Sequence, residues 1–289
     1  MDSHALKAFI AVAQTRSFSR AAEQLFLTQP AVSKRISALE QELGTPLFNR
    51  IGRSIDLTPA GESLLPRAKS ILDEQRLARL EIDNLSTNVR GVLNFAMSHH
   101  IGLRRMPALL REYAKQFPEV ELKIAFLGSE EANILVEQGE LEFALITLPE
   151  QNLSPLHHQH IWTDPLAIVT AIDSPLQLNR QRDLTRLSQM PVILPTADTV
   201  TYSIIETAFA KQGIELQVGM QTNNLETIKM MVSIGIGWSV LPLTMVDSQL
   251  LAHQAKPLTI ERSLGIVQHP KRTLSNAAKA MLDMISRGP

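Results

Sequence analysis

The feature that most constrains this chain is the run from Pro59 to about Asn88. Thr58-Pro59 opens it, an N-cap followed by proline at the first helical position. Leu64, Ala68, Ile71, Gln75, Ala78, Ile82 and Leu85 then recur in alternating steps of four and three, a heptad seam with one polar member. A helix of about 28 residues spans about 42 Å at 1.5 Å per residue. Its apolar stripe is too narrow for a globular core and suits pairing with a second copy. Residues 59–87 therefore read as a linker and dimerisation helix that divides the chain in two. The plainer alternative is a surface helix packed on its own domain.

Composition narrows the classes further. With 289 residues, 44% of them apolar and 20% charged, the chain has enough apolar side chains for folded cores and is not a disordered polymer. No apolar run approaches the length of a membrane span. The opening MDSHALKAFIAVAQTRSF lacks the basic start of a secretory signal, which suggests a cytoplasmic protein. Zero cysteines exclude disulfides, thiolate metal sites and cysteine nucleophiles. The net charge is −1, so affinity for a polyanion would have to be local. Residues 1–60 carry a net +2 against −3 for the rest, pointing to the N-terminus.

That N-terminus reads as three short helices and a hairpin. Residues 5–15 form a helix with Leu6, Phe9, Ile10 and Val12 on one face. Ser19 is placed to cap a second helix over 20–25, and Thr28 starts a third. In the third, Val32, Ile36, Leu39 and Leu43 make one buried stripe, and Gly44 stops it. Residues 45–57 form the hairpin, with Arg50 and Arg53 at its tip. Three helices and a hairpin make a winged helix-turn-helix, residues 1–58. Away from its apolar stripe the third helix offers Gln29, Pro30, Ser33 and Lys34, with no bulky apolar group to keep it from a major groove. Gln pairs with adenine, Ser with several base edges, Lys with guanine or phosphate, and a proline ring can touch a thymine methyl. Thr28 at the helix start suits a phosphate. Arg35, flanking the core, suits a phosphate or an internal ion pair. Arg50 and Arg53 can reach the minor groove. Any one of these residues alone would read as a solvated surface.

Residues 18–61 closely resemble the DNA-binding segment of LysR-type transcriptional regulators. The matching features are Ala21-Ala22, the run Thr28-Gln29-Pro30-Ala31-Val32-Ser33, Leu39-Glu40, Leu43-Gly44, Leu47-Phe48 with Arg50, and Leu57-Thr58 with Gly61. The layout of the rest is similar to the same family. The resemblance implies an α+β multidomain chain: a winged helix-turn-helix, a long linker helix and a C-terminal two-lobed α/β effector domain of the type-2 periplasmic-binding-protein-like fold. It implies a homodimer through residues 59–87 and a homotetramer. It also implies double-stranded DNA carrying an interrupted palindrome near a promoter, a small-molecule effector, and RNA polymerase as a further partner.

From residue 90 onward strands and helices alternate, which predicts a mainly parallel sheet covered on both faces. Strands are expected at 92–97, 119–127, 141–147, 165–171, 192–194, 214–221, 238–241 and 263–268. Helices are expected at 101–117, 129–139, 199–212, 224–235 and 273–286, with a helical turn at 183–189. Lobe I is placed at 88–161 and 267–289, lobe II at 162–266. Ligands in such folds sit between lobes, at strand ends and helix starts. The loops there supply Ser98, His99, His100, Ser129, Thr147, Thr199, Thr201 and Asn223. Of these, Ser98, Ser129 and Thr199 are carried over from the resemblance. Hydroxyls and free helix N–H groups suit a carboxylate or other small anion, and imidazole could make sensing depend on pH.

Other motifs are weaker. His157, His158 and His160 lack a nearby acid or thiol and read as a surface strand edge rather than a metal site. Ser98 beside two histidines has no orienting acid and no Gly-x-Ser-x-Gly context. Gly235-Ile-Gly237 is a fragment of a dinucleotide fingerprint with the wrong structure after it. No cofactor, metal or catalytic set is expected. The reading is a ligand-controlled, sequence-specific DNA-binding regulator. The alternative is a cytosolic solute-binding or enzymatic α/β protein with an accessory dimerisation module.

Overall fold

The computed structural model describes residues 1–51, 54–86, 88–151, 154–174, 184, 186–187, 189–253 and 258–288. The chain divides into two compact units, Met1–Ser86 and Thr87–Pro289.

The first unit contains α1 (Ser3–Thr15), α2 (Phe18–Gln24), α3 (Gln29–Leu43), the hairpin β1 (Phe48–Ile51) and β2 (Ser54–Leu57), and α4 (Pro59–Asn84). Leu6, Phe9 and Val12 of α1 pack with Ala21 and Ala22 of α2, Val32, Ile36 and Leu39 of α3, Leu47 and Phe48, and Ala68 of α4. Two details differ from expectation. Ser17, not Ser19, caps α2: its extended backbone lets Oγ accept from Arg20 N at 3.3 Å, whereas Ser19 is already inside the helix. Leu43 is 38% exposed, because the stripe on α3 outruns the core one turn after Leu39.

The wing is tied to α3 by Glu40, whose Oε1 accepts from Leu47 N at 2.8 Å and more weakly from Phe48 N at 3.4 Å. Thr58 joins wing to α4. Its Oγ1 donates to Pro46 O at 2.7 Å and accepts from Gly61 N at 3.1 Å. The next turn passes so close to Leu47 that a Cβ on Gly61 would stand 2.3 Å from the Leu47 carbonyl oxygen. α4 survives Pro66 in its interior, although proline removes one helical donor. The helix ends at Asn84, three residues short of expectation. The seam also divides in use. Leu64, Leu65, Ala68 and Leu72 pack on their own domain, while Ile71, Ile82 and Leu85 are 41%, 68% and 85% exposed.

The second unit begins with β3 (Gly91–Met97), α5 (His99–Arg104), α6 (Pro107–Gln116), β4 (Val120–Phe126), α7 (Ser129–Gln138), β5 (Phe143–Thr147) and β6 (His157–Ala171). It continues through β7 (Val192–Leu194), α8 (Val200–Ala210), β8 (Val218–Gln221), α9 (Leu225–Ser233), β9 (Ser239–Pro242), β10 (Leu250–His253), β11 (Ile260–Gln268) and α10 (Asn276–Arg287). The main sheet has the order β10-β6-β11-β5-β3-β4, with β9 also on β6; β7 and β8 pair separately.

The sheet is not mainly parallel. β3 runs parallel to β4 and β5, but β6 and β11 are antiparallel to each other and to their other neighbours β5, β9 and β10. The physical reason is that β6 and β11 are long strands carrying the chain out to the second lobe and back. β6 is 15 residues, starting at His157 rather than 165. The expected helix over 101–117 is two helices, since Pro107 offers no N–H to continue α5. β10 was not foreseen, and the expected turn at 183–189 lies partly outside the described residues.

Both lobes are covered on two faces. In the first, α6 and α10 pack on Leu93, Phe95, Phe143 and Ile266, and α7 covers Ala144 and Ile146. In the second, α8 packs on Trp238, Val192 and Leu166, and α9 on Val169, Ile193 and Leu241. Each large buried side chain contributes roughly 1.5–3 kcal/mol relative to exposure. The two largest polar-tipped ones are satisfied: Trp238 Nε1 donates to Met190 O at 3.2 Å and Tyr113 Oη to Ala277 O at 2.8 Å.

Candidate functional site

In the first unit, the buried stripe of α3 leaves the opposite side free. Thr28, Gln29, Pro30 and Lys34 are exposed, and Ser33 and Arg35 are half-buried. Thr28 holds the N-cap position without a side-chain cap bond, so its hydroxyl is not spent on the helix it begins. No ion pair to Arg35 or Lys34 occurs among the described residues. Beside α3 stands the wing. Arg53 lies outside the described residues, as does the side chain of Arg50. The turn between α2 and α3 places Phe26 at φ 53 with 95% exposure.

In the second unit, one cleft of about 620 Å³ is lined by all eight residues singled out from sequence: Ser98, His99, His100, Ser129, Thr147, Thr199, Thr201 and Asn223. They come from the ends of β3 and β5, the starts of α5, α7 and α8, and the loop before α9, as a switch-point cleft requires. Their chemistry is unequal. Ser129 Oγ accepts from Thr147 N at 3.2 Å and lies 3.5 Å from Ser98 Oγ, so these three sew the loops together. Thr199 caps α8 by accepting from Tyr202 N, and its hydroxyl proton goes to Thr196 O. Asn223 Oδ1 accepts from both N and Oγ1 of Thr196. His99 is exposed against the ring of Phe126. His100 is the group left over: its Nε2 is buried with no hydrogen-bond partner. Burial first, then the charges of Arg262 and Arg105, push its pKa well below the ordinary imidazole value, so the ring is neutral.

Sequence reasoning missed Arg262, a cation in the wall of this cleft, and the ion pair that holds it from behind. Asp164 and Arg262 face each other in register across β6 and β11, both almost fully buried. Arg262 Nε donates to Asp164 Oδ2 at 2.9 Å and Nη1 to Thr201 Oγ1 at 3.0 Å. Arg105 reaches the other carboxylate oxygen at 3.4 Å. A signal existed: Arg262 sits in phase with Ile260 and Leu264, an inward position of an alternating strand. Also missed was Glu130, whose Oε1 accepts from Val200 N at 3.1 Å and so occupies the first turn of α8. Among the described residues no cluster of metal-ligating side chains occurs, the histidines of β6 included. Among the described residues no helix is long and apolar enough to cross a membrane.

A winged helix-turn-helix with an open polar recognition helix, joined to a two-lobed α/β unit with a polar cleft, is the architecture of a ligand-responsive DNA-binding protein. Residues 3–62 match the family described as "Bacterial regulatory helix-turn-helix protein, lysR family", and residues 86–288 match the "LysR substrate binding domain". The chain belongs to the LysR family of transcriptional regulators. Among its relatives is the "HTH-type transcriptional activator CmpR" of Synechocystis, 28% identical over 290 residues, covering 98% of this chain and 94% of that protein. An Azotobacter vinelandii regulator, described as uncharacterized and encoded "in ibpB-leuC intergenic region", is 58% identical over 107 residues, covering 37% of this chain and 74% of that protein. The crystal structure of full-length CbnR complexed with its target DNA superposes with a TM-score of 0.68 at 18% identity, covering 99% of each chain.

Proposed function

We propose that this LysR-type regulator works as a homodimer, and as a dimer of dimers, that places two copies of α3 in successive major grooves of an interrupted palindrome near a promoter. Gln29, Pro30 and Ser33 read base edges. Thr28, Lys34 and Arg35 hold phosphates, and Arg50 and Arg53 reach the flanking minor groove. The exposed seam Ile71, Ile82 and Leu85 of α4 is the dimer contact, since a bare apolar stripe at heptad spacing is stable only when covered. The cleft of the second unit takes a small anionic effector that biases two states of the assembly and thereby its fit to DNA and to RNA polymerase. The protein acts in the cytoplasm and performs no catalysis.

The observation that carries this reading is the split personality of α3, with Val32, Ile36 and Leu39 fully buried and a continuous polar face uncommitted to the fold. The test is binding to DNA from upstream of its own gene and neighbouring genes, titrated over salt concentration. A specific site should bind at least about a thousandfold more tightly than random duplex at physiological salt. A uniform affinity for every duplex would remove the regulator reading.

A further inference from the structure

Two lobes joined by long strands can move against each other, and at two points this chain ties them together with its own charges. We infer that Glu130 at the start of α8, and Arg104 with Glu226, form a two-point clasp across the cleft. The clasp opens and closes as one unit, and it sets the resting separation of the lobes on which the effector acts. That last step rests on the effector reading above; the clasp itself does not.

The charges are prepared locally before they meet. α5 and α7 pack in the first lobe, α8 and α9 in the second. Glu130 lies in the first turn of α7 and Glu226 in the first turn of α9, where the helix dipole favours an anion. Arg104 lies in the last turn of α5, where it favours a cation. Folding then brings each within reach of the other lobe. Glu130 Oε1 accepts from Val200 N at 3.1 Å, and Arg104 Nη2 donates to Glu226 Oε1 at 2.7 Å. Both carboxylates line the cleft.

The first bridge satisfies a group that α8 cannot satisfy by itself, because the N–H groups of a first turn have no acceptor within their own helix. Thr199 takes the Tyr202 amide, and Glu130, from the opposite lobe, takes that of Val200. The second bridge is a partly exposed ion pair, with side chains 35% and 40% accessible, and such a pair is weak alone. Two bridges between the same two bodies share the entropy of bringing them together, so each raises the effective concentration of the other. The clasp therefore holds without either bond being strong, and a ligand that disturbs one bridge shifts both. Asp164 and Arg262 have a different task. They join β6 to β11, the strands that connect the lobes, and do not tie lobe to lobe.

The test is amide-resolved hydrogen exchange on the full-length protein, with no ligand added, read by mass spectrometry. Glu130→Ala should speed exchange at the Val200 amide at least about tenfold, because that amide loses a charged acceptor. Arg104→Ala leaves the acceptor in place, yet it should still speed Val200 by about twofold to fivefold, because it weakens the clasp as a whole. Glu226→Gln should match Arg104→Ala, and the double variant should match each single one. The Val192 amide, bonded to Gln217 O inside the second lobe, should keep its rate throughout. Val200 exchange unmoved by Arg104→Ala overturns the inference, because the two bridges are then independent. So does Val200 exchange unmoved by Glu130→Ala, or a double variant in which the Arg104 and Glu226 effects add in full. Val192 speeding as much as Val200 overturns it too, since the second lobe has then loosened internally. None of these outcomes touches the regulator reading, which falls only on the DNA measurement, and failure of that measurement leaves the exchange result as it stands.

Discussion

The polar face of α3 and the buried ion pair behind the cleft solve opposite problems. Residues 28–35 are consecutive; Lys34 faces water, Arg35 is half-buried, and neither has an ion-pair partner among the described residues, so their charges contribute little to folding. Asp164, Arg262, His100 and Thr201 are far apart in sequence and lie on two paired antiparallel strands and two helix starts. There the charges are buried and each holds the next in place, so folding and binding cannot be separated as cleanly. A site made of exposed polar residues can change its specificity at little structural cost, whereas a site made of buried ones carries its specificity into the core.

The contrast can be broken or sharpened by mutation. The largest effect is expected from Arg262→Met, which leaves the buried Asp164 with the longer 3.4 Å contact to Arg105 in place of its main partner. It should destabilise the second unit by about 3–5 kcal/mol while leaving the unfolding of the first unit in place, as read by denaturant titration with a probe in each unit. Gly61→Ala forces a Cβ against the Leu47 carbonyl and should cost the first unit roughly 1–3 kcal/mol, with little change in the second.

Next comes pH. His100, His158, His253 and His269 all have pKa values lowered by burial, so the unfolded chain takes up protons that the folded one refuses. Stability is therefore full above the unfolded value of 6.5 and falls as pH drops below it. Each such group steepens the fall by at most about 1.4 kcal/mol per pH unit. His100→Gln should flatten thermal melting of the second unit between neutral pH and pH 5; an unchanged slope would show that His100 titrates alike in both states.

Phe26→Asn should stabilise the first unit by up to about 1 kcal/mol, because the ring is exposed and Asn tolerates positive φ. Smallest in stability is Lys34→Ala, expected within about 0.5 kcal/mol. Its signature is in binding: the slope of log affinity against log salt should fall by about 0.9 if Lys34 neutralises one phosphate.

Much of the first unit was legible because its determinants are local. Val32, Ile36 and Leu39 announce a stripe, Gly44 a stop at φ 68, and Thr58-Pro59 a helix start. Ser19 and Leu43 were misjudged where two residues of register, or the edge of a neighbouring helix, decide. In the second unit the loops that line the cleft could be read off strand ends, and all eight candidates gather there. What could not be read was the direction of β6 and β11, and with it the pairing of Asp164 with Arg262, because strand direction depends on partners a hundred residues away.

The order of residues alone determined which segments coil, which extend, and which side of α3 must face water, since helical and strand periods are properties of neighbours in the chain. Only the tertiary structure decided which charges meet. Two paired antiparallel strands set Asp164 against Arg262, and the end of α5 brought Arg105 to the same acid; electrostatics inside a protein is a matter of distance and burial that no local pattern encodes.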